Sequence, residues 1–322
     1  MPYDKKSFLS GLAAGRNARS WPRQYGDNYF LYTLTVEAGK QVRSPYFVLD
    51  GWIHWGDGTV DRVNNDPGDV DVREIYEYRT YRNHVYAESG EYVCIMEGNL
   101  RSWAANTHGT IRPASYPALT SVITPFPSSM KGHPDATNMF TSTPNLRSIP
   151  DGLLSGISES ITSAWGMFCR SGITKVPEKL FLGCNFPLQN GAAEYLFAGS
   201  GLTEIPPDLF AYTPNVDYLN QTFIGTPITS IPPALFAPLP HLYSVNYVFM
   251  STNITSIPYN LFAGNPDMIN FISLFENCLE VSGAAPPLWE MYPFASGTFC
   301  FTGCEGLSNY NSIPRSWGGG KV

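Results

Sequence analysis

The chain has 322 residues, of which 15% are charged and 14% aromatic, and its formal net charge is −7. That charge excludes a general nucleic-acid binder, which displays a basic face, and no stretch reaches the roughly 18 consecutive apolar residues of a membrane-spanning helix. Glycine and proline number 29 and 27, a content that favours turns over long helices.

In chain order, residues 1–27 come first as a separate N-terminal piece. Ser7 is placed to cap a short helix that puts Phe8, Leu9, Leu12 and Ala13 on one face, followed by Arg16. Such an amphipathic peptide needs a surface to pack on, either the neighbouring domain or another protein. The apolar run is broken by Ser10 and Gly11 and followed at once by Arg16 and Arg19, which is not the pattern of a secretory signal. The expectation is therefore a chain with no export signal and no anchor. The run Tyr3-Asp4-Lys5-Lys6-Ser7-Phe8-Leu9-Ser10-Gly11-Leu12-Ala13-Ala14-Gly15-Arg16 resembles the leader of tail-associated and accessory proteins of tailed bacteriophages. That resemblance implies a docking role for Phe8, Leu9, Leu12 and Arg16.

Residues 28–112 read as an all-β domain. Alternating or apolar runs at 29–36, 47–49, 52–55 and 92–96 are separated by Gly, Asp and Asn turns. Trp55-Gly56-Asp57-Gly58-Thr59 closes a strand on a turn whose two glycines permit positive backbone angles. His84-Val85-Tyr86 and Gly90-Glu91-Tyr92-Val93 follow. Together these segments resemble the polycystic-kidney-disease (PKD) type of immunoglobulin-like β-sandwich, in which Trp55, Asp57, Gly58, His84, Tyr86, Gly90 and Tyr92 are structural positions. The resemblance implies a spacer or carbohydrate-proximal module. Asp57, Asp61, Asp66, Asp69 and Asp71 offer oxygen ligands of the kind calcium takes, but without the spacing of a calcium loop and its closing bidentate Glu. Solvated turn acids are the plainer reading, and calcium binding stays open at this point.

Residues 113–322 are built on a repeat. Phenylalanine recurs at 140, 168, 197, 223, 249, 275 and 301, with successive spacings of 28, 29, 26, 26, 26 and 26 residues. That is a solenoid period, and each unit is too small to bury its own apolar face without neighbours. After the marker come a small residue, an aliphatic, an Ile-Pro or Val-Pro step and a Leu-Phe pair, as in Ile205-Pro206 to Leu209-Phe210 and Ile231-Pro232 to Leu235-Phe236. Residues 113–137 form the joint and first capping coil. The unit resembles leucine-rich repeats of the bacterial-surface type, although it lacks the L-x-x-L-x-L-x-x-N core of the common leucine-rich-repeat horseshoe. The expected coil has a short strand near each Leu/Ile-Thr-x-Ile and a helical turn begun by proline. The closing stretch 301–317, with Gly318-Gly319-Gly320 after it, resembles the final segment of repeat proteins from phage and prophage tail-fibre regions. The overall expectation is a mainly β protein, a PKD-type sandwich followed by a leucine-rich-repeat-like solenoid.

The cysteines fit that frame. Three residues after each marker stand Thr143, Ser171, Ser200, Thr226, Thr252, Cys278 and Cys304, so thiol and hydroxyl exchange as small buried fillers. Cys300 and Cys304 lack a second pair at metal-ligand spacing. No H-E-x-x-H, G-x-S-x-G or phosphate-binding loop is present, so no enzyme activity, cofactor or metal is expected. The leading functional reading is a non-enzymatic structural and adhesion protein of a tailed-phage virion, assembled in the host cytoplasm and sited on the tail or capsid surface. Its partners would be other virion proteins and a host-surface protein or glycan, with homo-oligomerisation open. The alternatives are a bacterial surface adhesin and a glycan-degrading enzyme on a repeat scaffold. Tyr212, Tyr218, His241, Tyr243 and Tyr247 vary from coil to coil and are candidates for the recognition surface; the sequence leaves open which of them are core fillers.

Overall fold

The computed structural model describes residues 28–44, 50–64, 82–99, 116–128, 136–184, 186 and 191–320. The docking residues Phe8, Leu9, Leu12 and Arg16, and the acids Asp66, Asp69 and Asp71, lie outside that set.

Strand β1 (Tyr29–Val36) is rich in aromatic and aliphatic residues and is buried almost throughout, the composition of a strand with neighbours on both sides. It pairs antiparallel with β6 (Gly90–Asn99), from Tyr29 opposite Glu97 to Val36 opposite Gly90. Beyond β6 lie β3 (Asp50–His54) and β4 (Val60–Asn64), joined through the Trp55–Thr59 turn. On its other side β1 pairs with β7 (Leu119–Val122). The result is an open five-stranded antiparallel sheet in the order β4-β3-β6-β1-β7. A second sheet of two antiparallel strands pairs β2 (Gln41–Arg43) with β5 (Asn83–Val85). Apart from one short helix, α1 (Leu288–Met291), and three 3-10 turns, the described residues are strands, turns and extended chain, so the protein is mainly β.

Strand β7 has a second partner. Ser121 forms a parallel bridge with Ser148, reinforced by Val122 N–H to Ser148 O at 3.0 Å and Arg147 N–H to Thr120 O at 2.8 Å. The edge of the sheet, otherwise open to association with other chains, is thus covered by the first coil of a long stack. The strand that falls just past the expected 112/113 joint belongs to both parts, and one hydrophobic cluster runs through them.

The stack is built on the marker phenylalanines. Rings of Phe30, Phe126, Phe140, Phe168, Phe197, Phe223, Phe249, Phe275 and Phe301 follow one another with centroids 4.9–6.3 Å apart. Phe197, Phe223 and Phe249 are fully buried in this column, as the 26-residue spacing demands. A second column, Phe210, Phe236 and Phe262, runs beside it. Between coils the backbone forms a ladder in one direction. Each marker N–H from Phe140 to Phe275 donates to the carbonyl just before the next marker, at 2.7–3.1 Å, as in Phe223 N–H to Val248 O.

Two expected details differ. Around Leu202-Thr203-Glu204-Ile205 the chain forms no strand, because the backbone contact there is a single bond per coil, such as Thr203 N–H to Thr174 O. After the Ile-Pro step a hydrogen-bonded turn stands where a helical turn was expected, closed by Leu209 N–H to Pro206 O and repeated at Leu235 and Leu261. In the last described coil the Phe301 N–H donates to Trp317 O at 2.9 Å. Trp317 packs on Phe271, ring centroids 5.8 Å apart, and lies so close to Gly297 that a Cβ there would overlap its indole.

Candidate functional site

The Trp55–Thr59 turn is a self-contained knot. Gly56 has φ +84, and an added Cβ would lie 2.5 Å from Val93 O, so no other residue fits. Asp57 accepts from Thr59 N–H at 2.9 Å and Thr59 Oγ1 at 2.6 Å, and its second oxygen pairs with His84 Nε2 at 2.7 Å. Burial raises the Asp57 carboxyl, but the Thr59 and His84 hydrogen bonds outweigh it and hold the group below its ordinary value. The His84 ring stacks on Trp55 with centroids 4.8 Å apart. Trp55 Nε1 donates to Asp61 at 3.0 Å, and Tyr86 Oη donates to Trp55 O at 2.9 Å. Tyr92 stacks on Tyr86 at 4.3 Å, close to Gly90, whose space lies against that ring. Gly58, at φ +96, completes the reversal. Both described acids of the turn are occupied with shaping it. Among the described residues no group of three or more His, Cys, Asp or Glu side chains is placed to hold a metal ion, and no helix is long and apolar enough to cross a membrane.

The thiol ladder lies inside the stack. All six cysteines are free, and Cys169 alone is not fully buried. Cys278 donates to Phe249 O at 3.0 Å and Cys304 to Phe275 O at 3.1 Å. Thr226 and Thr252 donate to the marker carbonyls of their own coils at 2.7 and 2.8 Å. Burial pushes the Cys278 and Cys304 thiols up, so they are weak nucleophiles.

The structure separates the five candidate recognition residues. Tyr218 and Tyr243, from successive coils, meet with ring centroids 5.6 Å apart. Tyr212 is half-buried at the second corner of its coil. His241 is exposed, its Nδ1 3.9 Å from Asp267 of the next coil. Tyr247 belongs to a different feature, a column two residues before each marker.

That column contains Asn138, Gly166, Tyr195, Gln221, Tyr247, Ser273 and Phe299, and every member has a left-handed backbone, the non-glycine φ values running from +53 to +61. The geometry follows from the coil: alternate N–H groups point at the next coil while those between close tight turns, as Thr222 N–H does to Leu219 O. Left-handed geometry costs a side-chain-bearing residue about 1–2 kcal/mol. The matching position two residues after the marker uses glycine at 199, 225 and 303, yet before the marker stand two tyrosines and a phenylalanine. Phe299 is 56% exposed, and Tyr195 and Tyr247 are half-buried.

One residue earlier runs a polar column. Asn220 donates to Glu194 Oε1 at 2.6 Å and accepts from Ser244 Oγ and Asn246 N–H. Asn246 accepts from Ile272 N–H at 2.8 Å, so each asparagine satisfies the backbone of the coil that follows. Burial lifts the Glu194 carboxyl above its ordinary value; the Asn220 bond pulls it down and the Asp217 charge adds to the rise. Trp165, 37% exposed, leans on Tyr195 with centroids 5.1 Å apart, and Gln221 donates to Tyr195 Oη at 2.6 Å. The sequence reading found Tyr247 but missed Trp165, Glu194, Tyr195, Gln221 and Phe299. Counting back two and three residues from every marker would have found them. No model of a known protein family matches this chain, and no curated protein matches it.

Proposed function

We propose that the protein is a non-enzymatic structural and recognition component of a tailed-phage particle. On this reading it is held by its N-terminal peptide, spaced by a PKD-type immunoglobulin-like domain, and binds through a leucine-rich-repeat-like stack. The observation that carries the reading is the column before the markers. Tyr195, Tyr247 and Phe299 occupy left-handed positions in every second coil and are half-buried to exposed, and strained positions of that kind gather at functional sites. The phage-type leader at residues 3–16 supports attachment to a particle, and the buried ring column supports a rigid arm.

The experiment is mass spectrometry of particles purified from lysate, for the full chain and for a chain lacking residues 1–27. The full chain is expected in the particles and the shortened one only in the free fraction, with an unchanged circular dichroism spectrum. A full chain found on intact cells and absent from purified particles would overturn the reading in favour of a cell-surface adhesin.

A further inference from the structure

In the column before the markers, Tyr195, Tyr247 and Phe299 occur in every second coil, with Gln221 and Ser273 between them. Buried marker rings in that stretch are 5.7 Å apart from coil to coil, so the projecting aromatics recur at two such steps. Beside them run Glu194, Asn220 and Asn246, and Trp165 extends the row past Tyr195. We propose that this row is a binding track for a linear, neutral, β-linked polysaccharide lying along the stack.

Four features select that partner. The track is two side-chain columns wide and several coils long, which suits a linear polymer better than the broad patch, about 800 Å² a side, of a protein interface. Aromatic faces are electron-rich and attract the C–H-lined face of a sugar ring, while amides and hydroxyls meet its hydroxyl groups. An extended β-linked chain turns over at each sugar, so equal faces recur at every second residue, as the aromatics do. Neither column contains Lys or Arg between positions 165 and 299, so an anionic glycan or nucleic acid has no counter-charge there. The αL geometry adds an internal comparison: Gly166 shows that the coil accepts glycine at this position, so the rings are not needed to build it.

The proposal rests on the recognition role of the stack and is tested separately from it. Chitohexaose, cellohexaose and the α-linked maltohexaose are titrated calorimetrically into the full chain, with the matching dimers as length controls. At least one β-linked hexamer is expected to bind, its dimer and maltohexaose at least tenfold more weakly. Tyr247→Gly and Phe299→Gly are each expected to weaken binding about tenfold, the usual worth of one aromatic contact, with melting temperature unchanged or raised. Failure of both β-linked hexamers to bind at millimolar concentration overturns the proposal, as does unchanged binding in both glycine variants. A protein partner captured by the full chain and lost in those variants also overturns the glycan assignment, while leaving the recognition role standing. A chain that binds hexamers but is absent from particles does the reverse.

Discussion

Replacing Phe223 with alanine opens a hole midway along the ring column. Phe223 is fully buried, stacked between Phe197 and Phe249 at 5.7 Å on each side and met edge-on by Phe210 at 6.5 Å. Truncating a buried phenylalanine costs about 3–5 kcal/mol, and two broken stacks of about 0.5–1.5 kcal/mol each beyond area burial put this site at the upper end, about 5 kcal/mol. In a stack where each coil touches only its neighbours, that loss falls on one interface and weakens the cooperativity between the two sides. Urea titration followed by hydrogen-exchange mass spectrometry is the suitable assay. The coils around Phe249 and Phe275 should lose protection at lower urea than β1 and β6, whereas wild type loses both together. Phe294→Ala is the control, because that side chain is 97% exposed and its removal should change stability by no more than about 0.5 kcal/mol. A loss below about 2 kcal/mol at Phe223, with protection falling evenly along the chain, would refute the view of the column as the spine of the stack.

Two further outcomes concern titratable groups. Asp57→Asn should destabilise the sheet by about 1–2 kcal/mol at neutral pH, through weakened Thr59 and His84 bonds. Because the folded carboxyl is held below its ordinary value, its contribution is complete above the unfolded value of about 4 and is lost as pH falls through the folded one. Wild-type and variant stabilities should therefore converge at the acid end, and a constant gap down to pH 2 would contradict the assignment. Iodoacetamide at pH 8 should label Cys169 first, while Cys94 and Cys184, whose thiols burial pushes up to about 12, react only on unfolding. A disulfide between Cys278 and Cys304 in the intact mass would overturn the ladder. Cys304→Thr should be nearly neutral, but Cys304→Leu should cost about 1–3 kcal/mol by overpacking.

The parts legible in the sequence are those where residue type and position coincide. Phe197, Phe223 and Phe249 recur at a fixed interval because each fills the same slot. The Trp55–Thr59 turn could be read because Gly56 admits no substitute beside Val93. The column before the markers hid because its backbone is imposed by the inter-coil ladder. Tyr195, Gln221, Tyr247 and Phe299 carry no local signal of left-handed geometry, and tertiary hydrogen bonding overrides what their residue types prefer. The same cause explains the missing strand at Leu202–Ile205, since an alternating pattern fixes which side chains face inward but not how many backbone bonds reach the neighbour. Residues 113–137 read as the joint and first capping coil, and within them Leu119-Thr120-Ser121-Val122, which forms β7, echoes Leu202-Thr203-Glu204-Ile205 of the repeats. It does meet the first coil, but it also completes the sheet.

The way the stack closes at Trp317 bears on where a coil can be added. Every earlier marker N–H is answered by a coil that follows, whereas that of Phe301 is answered by the chain doubling back, with the indole pressed on Gly297. A copy of the unit added after Phe301 would have to displace Trp317 before it could answer that N–H. A copy inserted between Phe223 and Phe249 meets matching rungs above and below. The 26-residue interval is therefore the natural unit for inserting or removing a coil in the interior of the stack.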